Sequence, residues 1–247
     1  MKIKIVFKTS QKCFVPLNYQ QYLTQFVYEN IGEYSREYAN FLSKKGYQLK
    51  SKTFKMFCFS FLYFEDFIIN EDKIIIEENK KITWYFASPI DKLLHCFIDS
   101  ILKKRYFSFC NQNFYLLNVD AILNPFIKEK MLVIPESVIV FSKKIKDGYA
   151  KYIVDDFNEI SRIATNNLQS KFFLLTGKEN KNEIKLYPIV EKVKTKLVIY
   201  KDIKIKGIFD NLIIEGDKTL IEVAYHCGLG EKNSMGFGSI QLKSINF

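Results

Sequence analysis

The chain has 247 residues, of which 48% are hydrophobic and 16% aromatic, so it can build a packed core and is not an intrinsically disordered chain. Its 37 basic residues exceed its 27 acidic ones, and the net charge of +10 comes almost entirely from lysine, which favours diffuse attraction to a polyanion. Five scattered cysteines, two distant histidines and the lack of a long apolar run predict a soluble, cytoplasmic protein without disulfides, metal or other cofactor.

The first half of the sequence alternates between strand and helix patterns. Residues 2–8 alternate basic and apolar side chains, which predicts a strand with Lys2, Lys4 and Lys8 on its solvent face. The following patterns predict, in chain order, a helix over residues 18–31, a polar stop at 43–46, a β-prone run at 54–62, a hairpin of 73–77 and 82–86, a helix from Ser88 and Pro89 to 103–105, and a strand at 114–119. Strand, helix, strands, helix, strand is the ferredoxin-like βαββαβ order.

The second half predicts a similar order with one departure. Its patterns predict a strand over residues 133–141, an amphipathic helix over 155–172, and strands over 194–200, 203–209, 213–215 and 220–225. They predict no second helix between the later strands. We therefore predict an α+β fold of two tandem ferredoxin-like βαββαβ modules lying side by side, with the first formed by residues 1–125 and the second by residues 126–247.

Near the C-terminus, one segment contains four of the ten glycines of the chain: Gly228, Gly230, Gly236 and Gly238. Glycine permits positive φ and close backbone approach. Two glycine pairs that flank Lys232, Asn233 and Ser234 predict exposed amide groups beside a lysine charge, which suits a phosphate. The spacing fits neither a dinucleotide fingerprint nor a P-loop. A wide hairpin whose glycines only turn corners is the alternative interpretation.

This glycine segment resembles the C-terminal signature of the CRISPR repeat-processing endoribonucleases, which are nucleases of the RAMP superfamily. Other segments are similar to the first helix, the following strand and the central helix of that family: residues 18–31, 42–46, 54–60 and 167–172. The resemblance implies two ferredoxin-like modules, a glycine-rich loop that contributes to RNA binding, and cleavage of precursor CRISPR RNA without a metal. In that reaction the ribose 2′-OH attacks the adjacent phosphate and leaves a 2′,3′-cyclic phosphate and a 5′-OH.

The same resemblance suggests catalytic residues and exposes one departure. Many relatives have a histidine directly after the leucine that closes the first helical region, whereas here Leu42 is followed by Ser43. A tyrosine and a lysine accompany that histidine in some relatives, and Tyr28 and either Lys50 or Lys52 stand at comparable places. Histidine suits proton transfer and lysine suits charge stabilisation, so the supporting groups are present without the usual histidine.

The two histidines of the chain are the remaining candidates for proton transfer. His95 lies off the apolar stripe of its predicted helix, which indicates a solvated residue. In the predicted strand before the glycine segment, His226 shares a face with Glu222 and Ala224, so we expect it to face the open side of the sheet. We take His226 as the leading catalytic candidate, and hydrogen-bonded support of the loop as its alternative role.

Basic alternation adds a further RNA-binding candidate surface, because Lys192, Lys194 and Lys196 share one parity. The expected partner is CRISPR repeat RNA, with a type I or type III effector complex as a further partner, and the expected protein is a monomer or homodimer. Two alternatives remain open. One is a repeat-RNA-binding homologue without catalysis, and the other is a structural RAMP subunit of an effector complex.

Overall fold

A computed structural model describes residues 1–145 and 150–245. The first half of the chain contains, in order, β1 (Lys2–Thr9), β2 (Cys13–Pro16), α1 (Gln20–Tyr34), α2 (Arg36–Asn40), β3 (Tyr47–Leu49), β4 (Lys52–Phe54), β5 (Cys58–Phe59), β6 (Tyr63–Phe64), β7 (Ile68–Asn70), β8 (Lys73–Ile76), β9 (Lys81–Ala87), α3 (Asp91–Lys104), β10 (Tyr106–Phe109) and β11 (Gln112–Ile122). A π-helical turn at Phe41–Lys45 follows α2.

The second half contains, in order, β12 (Lys130–Pro135), β13 (Ser142–Lys144), β14 (Ala150–Tyr152), α4 (Phe157–Thr176), β15 (Ile184–Pro188), β16 (Thr195–Tyr200), β17 (Ile203–Ile208), β18 (Leu212–Gly216), α5 (Lys218–Cys227) and β19 (Ile240–Ser244). We keep residue 125 as the proposed module boundary, which lies in the segment between β11 and β12.

Each half is organised around one antiparallel sheet with the same topology. The first sheet has the strand order β10-β11-β1-β9-β5, and β6 also pairs with β9; the second has the order β15-β18-β12-β19. The two βαββαβ units are β1-α1-β5-β9-α3-β11 and β12-α4-β15-β18-α5-β19. In each unit the first strand lies between the third and the fourth. The predicted fold of two tandem ferredoxin-like modules is confirmed.

The second module has its second helix at the place where a strand was predicted. α5 begins after Asp217, whose carboxylate accepts hydrogen bonds from the amides of Thr219 and Leu220 as an N-cap. The prediction of a strand over residues 220–225 relied on the alternation of apolar residues at 221, 223 and 225. It was wrong because the segment forms this helix, in which the intervening Ala224 and His226 are buried as well.

Other differences concern strand pairing and element ends. β8 pairs with β2 and β7, whereas β9 pairs with β1, so the predicted hairpin of these two strands does not form. Of the β-prone residues 54–62, Cys58 and Phe59 pair in the first sheet. β12 ends at Pro135, earlier than predicted. Hydrophobic alternation identifies a strand but does not identify its partner.

A buried ion pair joins the two modules. Lys2 in β1 is 2% exposed, and its Nζ donates hydrogen bonds to the carboxylate of Glu136 and, at 3.0 Å, to the carbonyl oxygen of Ile240. Glu136 is 4% exposed and also accepts from Oγ of Ser239 at 2.8 Å. The prediction that Lys2 lies on a solvent face was wrong because the second module covers this end of β1.

Candidate functional site

A cleft with a volume of about 790 Å³ opens between the two modules. Its walls come from residues 51–57 of the first module and, in the second, from α4, the β13–β14 hairpin and the glycine loop, which we define as residues 228–238. Its basic lining residues are Lys52, Lys55, Lys144, Arg162, Lys171 and Lys232. Glu231 lines the cleft as well and accepts a hydrogen bond from Oγ of Ser142 at 2.6 Å. The lining is therefore predominantly cationic.

Tyr28 contacts the glycine loop from the first module. It lies on α1 with its ring edge-on to Phe57, at a centroid distance of 5.9 Å, and its hydroxyl lies beside the side chain of Ser234. Burial raises the pKa of Tyr28 to about 12. At neutral pH Tyr28 is therefore a protonated hydroxyl, suited to donate a hydrogen bond or a proton rather than to accept one as a base.

The predicted residues Ser43, Lys50 and Lys52 lie in different settings. Ser43 is exposed in the π-helical turn, and its carbonyl oxygen accepts a hydrogen bond from Nζ of Lys55 at 3.0 Å. Lys52 lines the cleft, whereas Lys50 lines an adjoining cleft of about 660 Å³ to which Lys52 also contributes. The structure thus joins Ser43 to the cationic cleft through Lys55.

Sequence reasoning missed Lys55 as a site residue. Burial lowers the pKa of its ammonium group, and its side chain lies at the cleft wall beside Ser43. A signal was present, because Phe54 and Met56 on either side are buried in the core of the second module while Lys55 is only half-buried. A lysine between two core residues has to leave the core on the opposite side.

His226 does not lie on an open sheet face. It belongs to α5 and is 7% exposed, and Nδ1 has no hydrogen-bond partner in the described part of the chain. Burial, followed by the positive charges of the N-terminus and Lys2, lowers its pKa to about 4. The predicted orientation was wrong because it depended on the strand that is replaced by α5. His95 is exposed on α3, as predicted.

We expect His226 to make the stability of the protein depend on pH. Its pKa is about 4 in the folded protein and 6.5 as a free side chain, so the unfolded chain binds more protons between these values. The free energy of unfolding should rise with pH over this window by at most about 1.4 kcal/mol per pH unit from this group. Urea unfolding of His226→Leu between pH 4 and 6.5 should lack this contribution, whereas His95→Leu should retain it. An unchanged slope in His226→Leu would contradict the assignment.

The glycine loop directs much of its backbone inward rather than towards the cleft. The amides of Leu229, Glu231 and Gly238 donate to the carbonyl oxygens of Gly238, Val140 and Val138 at 2.8, 2.9 and 2.8 Å, respectively. The prediction of an exposed amide nest was wrong for these groups, because one joins the two ends of the loop and the other two bind it to residues 138–140. The loop presents side chains of residues 231–235 to the cleft instead.

The glycines of the loop are required by close packing at positive φ. A Cβ at Gly230 would lie 2.4 Å from the carbonyl oxygen of Val140, and one at Gly236 would lie 2.6 Å from the ring of Phe59. The φ angles of all four loop glycines lie between 72° and 86°. A side chain at these places would displace neighbouring backbone or ring atoms.

The candidates Lys192, Lys194 and Lys196 do not line the cleft. β16 begins at Thr195, so Lys192 and Lys194 precede the strand and the predicted common parity does not apply to them. Lys196 is in the strand, and its ammonium group lies over the rings of Phe61 and Phe209 at 4.7 and 5.3 Å. Burial lowers its pKa. Within residues 1–145 and 150–245, no cluster of His, Cys, Asp and Glu is placed to hold a metal ion.

None of the helices in the described ranges combines the length and the hydrophobicity needed to cross a bilayer. Of the five cysteines, which are all free thiols, four are buried and Cys110 is half-buried.

Comparison with known proteins finds relatives along nearly the whole chain. CRISPR-associated endoribonuclease Cas6 1 of Methanocaldococcus jannaschii is 26% identical over 97% of this chain and 92% of its own length. A solved structure of a Cas6-related gene product from Pyrococcus furiosus has a TM-score of 0.85 at 21% identity, covering 100% of this chain and 99% of that one. A structure described as a RAMP protein binding different RNA substrates has a TM-score of 0.82 at 17% identity, covering 99% and 100%.

Two adjoining family models match the two halves of the chain. The N-terminal model of CRISPR-associated protein Cas6 matches residues 14–120, and the C-terminal model of the same protein matches residues 120–242. The glycine loop falls within the second match. Together with the tandem ferredoxin-like fold, these matches show that the chain belongs to the Cas6 family of CRISPR-associated RAMP proteins.

Proposed function

We propose that the protein is an endoribonuclease that binds CRISPR repeat RNA in the inter-module cleft and cleaves precursor CRISPR RNA there. The observation that carries the proposal is the cationic cleft itself, which has residues 51–57, including the candidate Lys52, on one wall and the glycine loop on the other. The relative from Methanocaldococcus jannaschii bears the name of an endoribonuclease, which supports the reaction class.

We propose that cleavage proceeds by attack of the ribose 2′-OH on the adjacent phosphate, with the proton of the 2′-OH passing to solvent and the bond from phosphorus to the 5′-oxygen breaking. Lys52 and Lys55 are the charge-stabilising groups for the phosphorane, since both side chains lie on the same cleft wall. Tyr28, protonated at neutral pH, is the candidate donor to the leaving 5′-oxygen from the side of Ser234. His226 stays outside this set because it is buried in α5 and neutral above pH 4.

The direct test uses end-labelled repeat RNA with purified protein in the presence of EDTA. We expect a single cut that yields a 2′,3′-cyclic phosphate and a 5′-OH, because the attacking oxygen belongs to the substrate and the cleft side chains supply the charge. Products with a 5′-phosphate would exclude 2′-OH attack, and activity that disappears in EDTA and returns with Mg²⁺ would exclude the metal-independent route.

We expect RNA binding to fall steeply with salt. Each phosphate neutralised in a single-stranded segment contributes a slope of about −0.7 to log K against log salt. Lys144→Met, in the cleft, should reduce the slope by about that amount. Lys178→Met should not change it, since Lys178 is exposed beyond the end of α4 and does not line the cleft. A filter-binding affinity that is constant from about 50 to 200 mM salt would contradict binding to the cationic cleft.

The second candidate function is repeat-RNA binding without efficient cleavage. Two observations favour it: Ser43 stands after Leu42, and no histidine is among the described residues that line the cleft. Such a protein would hold CRISPR RNA or deliver it to an effector complex. Binding with full salt dependence but without products in the EDTA experiment would favour this function over the first.

A further inference from the structure

The centre of the glycine loop is occupied by a lysine from another element. Lys171, on α4, is 2% exposed, and its Nζ donates hydrogen bonds to the carbonyl oxygen of Gly228 at 2.7 Å and to Oδ1 of Asn233 at 2.8 Å. A longer contact of 3.4 Å reaches the carbonyl oxygen of Gly230. All three acceptors belong to the glycine loop.

Asn233 connects Lys171 to both ends of the loop through its side-chain amide. Its Nδ2 donates to the carbonyl oxygens of Phe237 at 3.1 Å and Leu229 at 3.4 Å. A Cβ at Gly228 or at Gly238 would lie 2.6 Å from the same Nδ2 atom. Two of the four glycines therefore make room for the Asn233 amide, and the loop encloses a cation with its carbonyl groups rather than an anion with its amides.

The titratable groups facing Lys171 do not replace these acceptors. They are Cys227 of α5, Cys58 of β5 and Glu231 of the loop, and burial raises the pKa values of the two thiols to about 12 and about 11, so both are neutral at pH 7. Burial lowers the pKa of Lys171 to about 8, which leaves the ammonium form in the majority at pH 7. A buried charge without hydrogen bonds is very costly, so the ammonium group needs the loop acceptors. The buried loop acceptors in turn need the ammonium group as their donor.

The enclosed lysine also fixes the cleft wall. Asn233 begins the 3₁₀ turn Asn233–Met235, and Lys232 just before it has a φ of 58°. Ser234 in this turn contacts the hydroxyl of Tyr28. The positions of Lys232 and Ser234 at the cleft therefore depend on where Asn233 is held.

We propose that Lys171 is a positioning residue, whose buried ammonium group is the centre around which the glycine loop closes and which holds Lys232 and Ser234 at the RNA-binding wall. The RNA part of this inference rests on the proposed function, whereas the loop part does not. Although Lys171 borders the cleft, its ammonium group is buried against the loop, and we assign it a role through the loop.

The first experiment follows amide hydrogen exchange in the loop and uses no RNA. In Lys171→Met we expect the amides of Glu231 and Gly238 to exchange at least about tenfold faster than in the wild type, while α3 is unchanged, because the methionine keeps the volume and removes the three donated hydrogen bonds. Lys178→Met, the same chemical change at an exposed site, should leave all exchange rates unaltered. Wild-type exchange in a folded Lys171→Met protein would overturn the proposal.

The second experiment measures the coupling between Lys171 and Lys232 in repeat-RNA affinity. Lys232→Ala should weaken binding several-fold in the wild type but less than twofold in the Lys171→Met background, since the lysine is no longer held at the wall. A general loss of stability would leave the effect of Lys232→Ala unchanged, and that result would contradict the proposal.

The failure of a variant to fold and the absence of RNA binding have separate consequences for the proposal. If Lys171→Met does not fold, Asn233→Ala takes its place, and wild-type loop exchange in that variant would overturn the proposal. If the wild-type protein binds no repeat RNA, the proposed function fails, and the exchange experiment alone decides the role of Lys171.

Discussion

Glu136→Gln is expected to lower the free energy of unfolding by about 3–5 kcal/mol, the cost of leaving a buried charge without its partner. Lys2 is 2% exposed, so water cannot take over the role of the lost carboxylate, and the carbonyl oxygen of Ile240 is its one other acceptor among the described residues. Glutamine keeps the shape of the side chain and one acceptor oxygen, and it removes the negative charge. Urea unfolding at pH 7 measures the effect.

An exposed ion pair provides the matched control. Lys130 and Glu215 lie 3.1 Å apart, with both side chains more than two fifths exposed, so Glu215→Gln should cost less than about 1 kcal/mol. The double variant Lys2→Met with Glu136→Leu should recover most of the loss, because an apolar pair of similar volume needs no counter-charge. Equal losses for Glu136→Gln and Glu215→Gln would show that the buried pair is not important for the junction of the modules.

Lys55→Met is expected to reduce the single-turnover rate of repeat-RNA cleavage by about 100- to 1,000-fold, the usual effect of removing one preorganised donor from a developing charge. The Nζ of Lys55 is held by the Ser43 carbonyl oxygen at the cleft wall, so the group is in position before RNA binds. RNA affinity should change far less than the rate, since the other basic side chains of the cleft remain.

The rate is measured at saturating protein, where binding no longer limits it. Lys178→Met is again the control, because it removes a lysine from an exposed site outside the cleft. A rate for Lys55→Met within threefold of the wild type would remove Lys55 from the proposed catalytic set and leave Lys52 and Tyr28.

Much of the fold was accessible from the sequence because strands and helices with one wet face have clear periods. β1, α1, α3, α4 and the β16–β17 hairpin lie close to their predicted positions. α5 was missed because its apolar residues at 221, 223, 225 and 227 also alternate as they would in a strand, although Asp217 was available as an N-cap. The fold topology could have predicted α5, since a βαββαβ unit requires a helix before its last strand.

The site was partly accessible for a different reason. The sequence predicted roles for Tyr28, Lys52, Lys232 and Ser234, and the fold brings these residues to or beside one cleft. It did not reveal that Lys2 and Lys171 are buried, because their acceptors lie far away along the chain. Local patterns place every lysine on a surface by default, and only tertiary contacts identify the exceptions.

The ion pair at the junction of the modules also has a consequence for the order of assembly. Lys2 is near the first residue of the chain, yet its two acceptors are 134 and 238 positions away. Contacts of such separation form late, because the intervening chain has to be ordered first. During synthesis the first module can complete its sheet once β11 has emerged, but Lys2 stays hydrated until β19 docks. The ion pair between the modules is therefore completed only when the second sheet is.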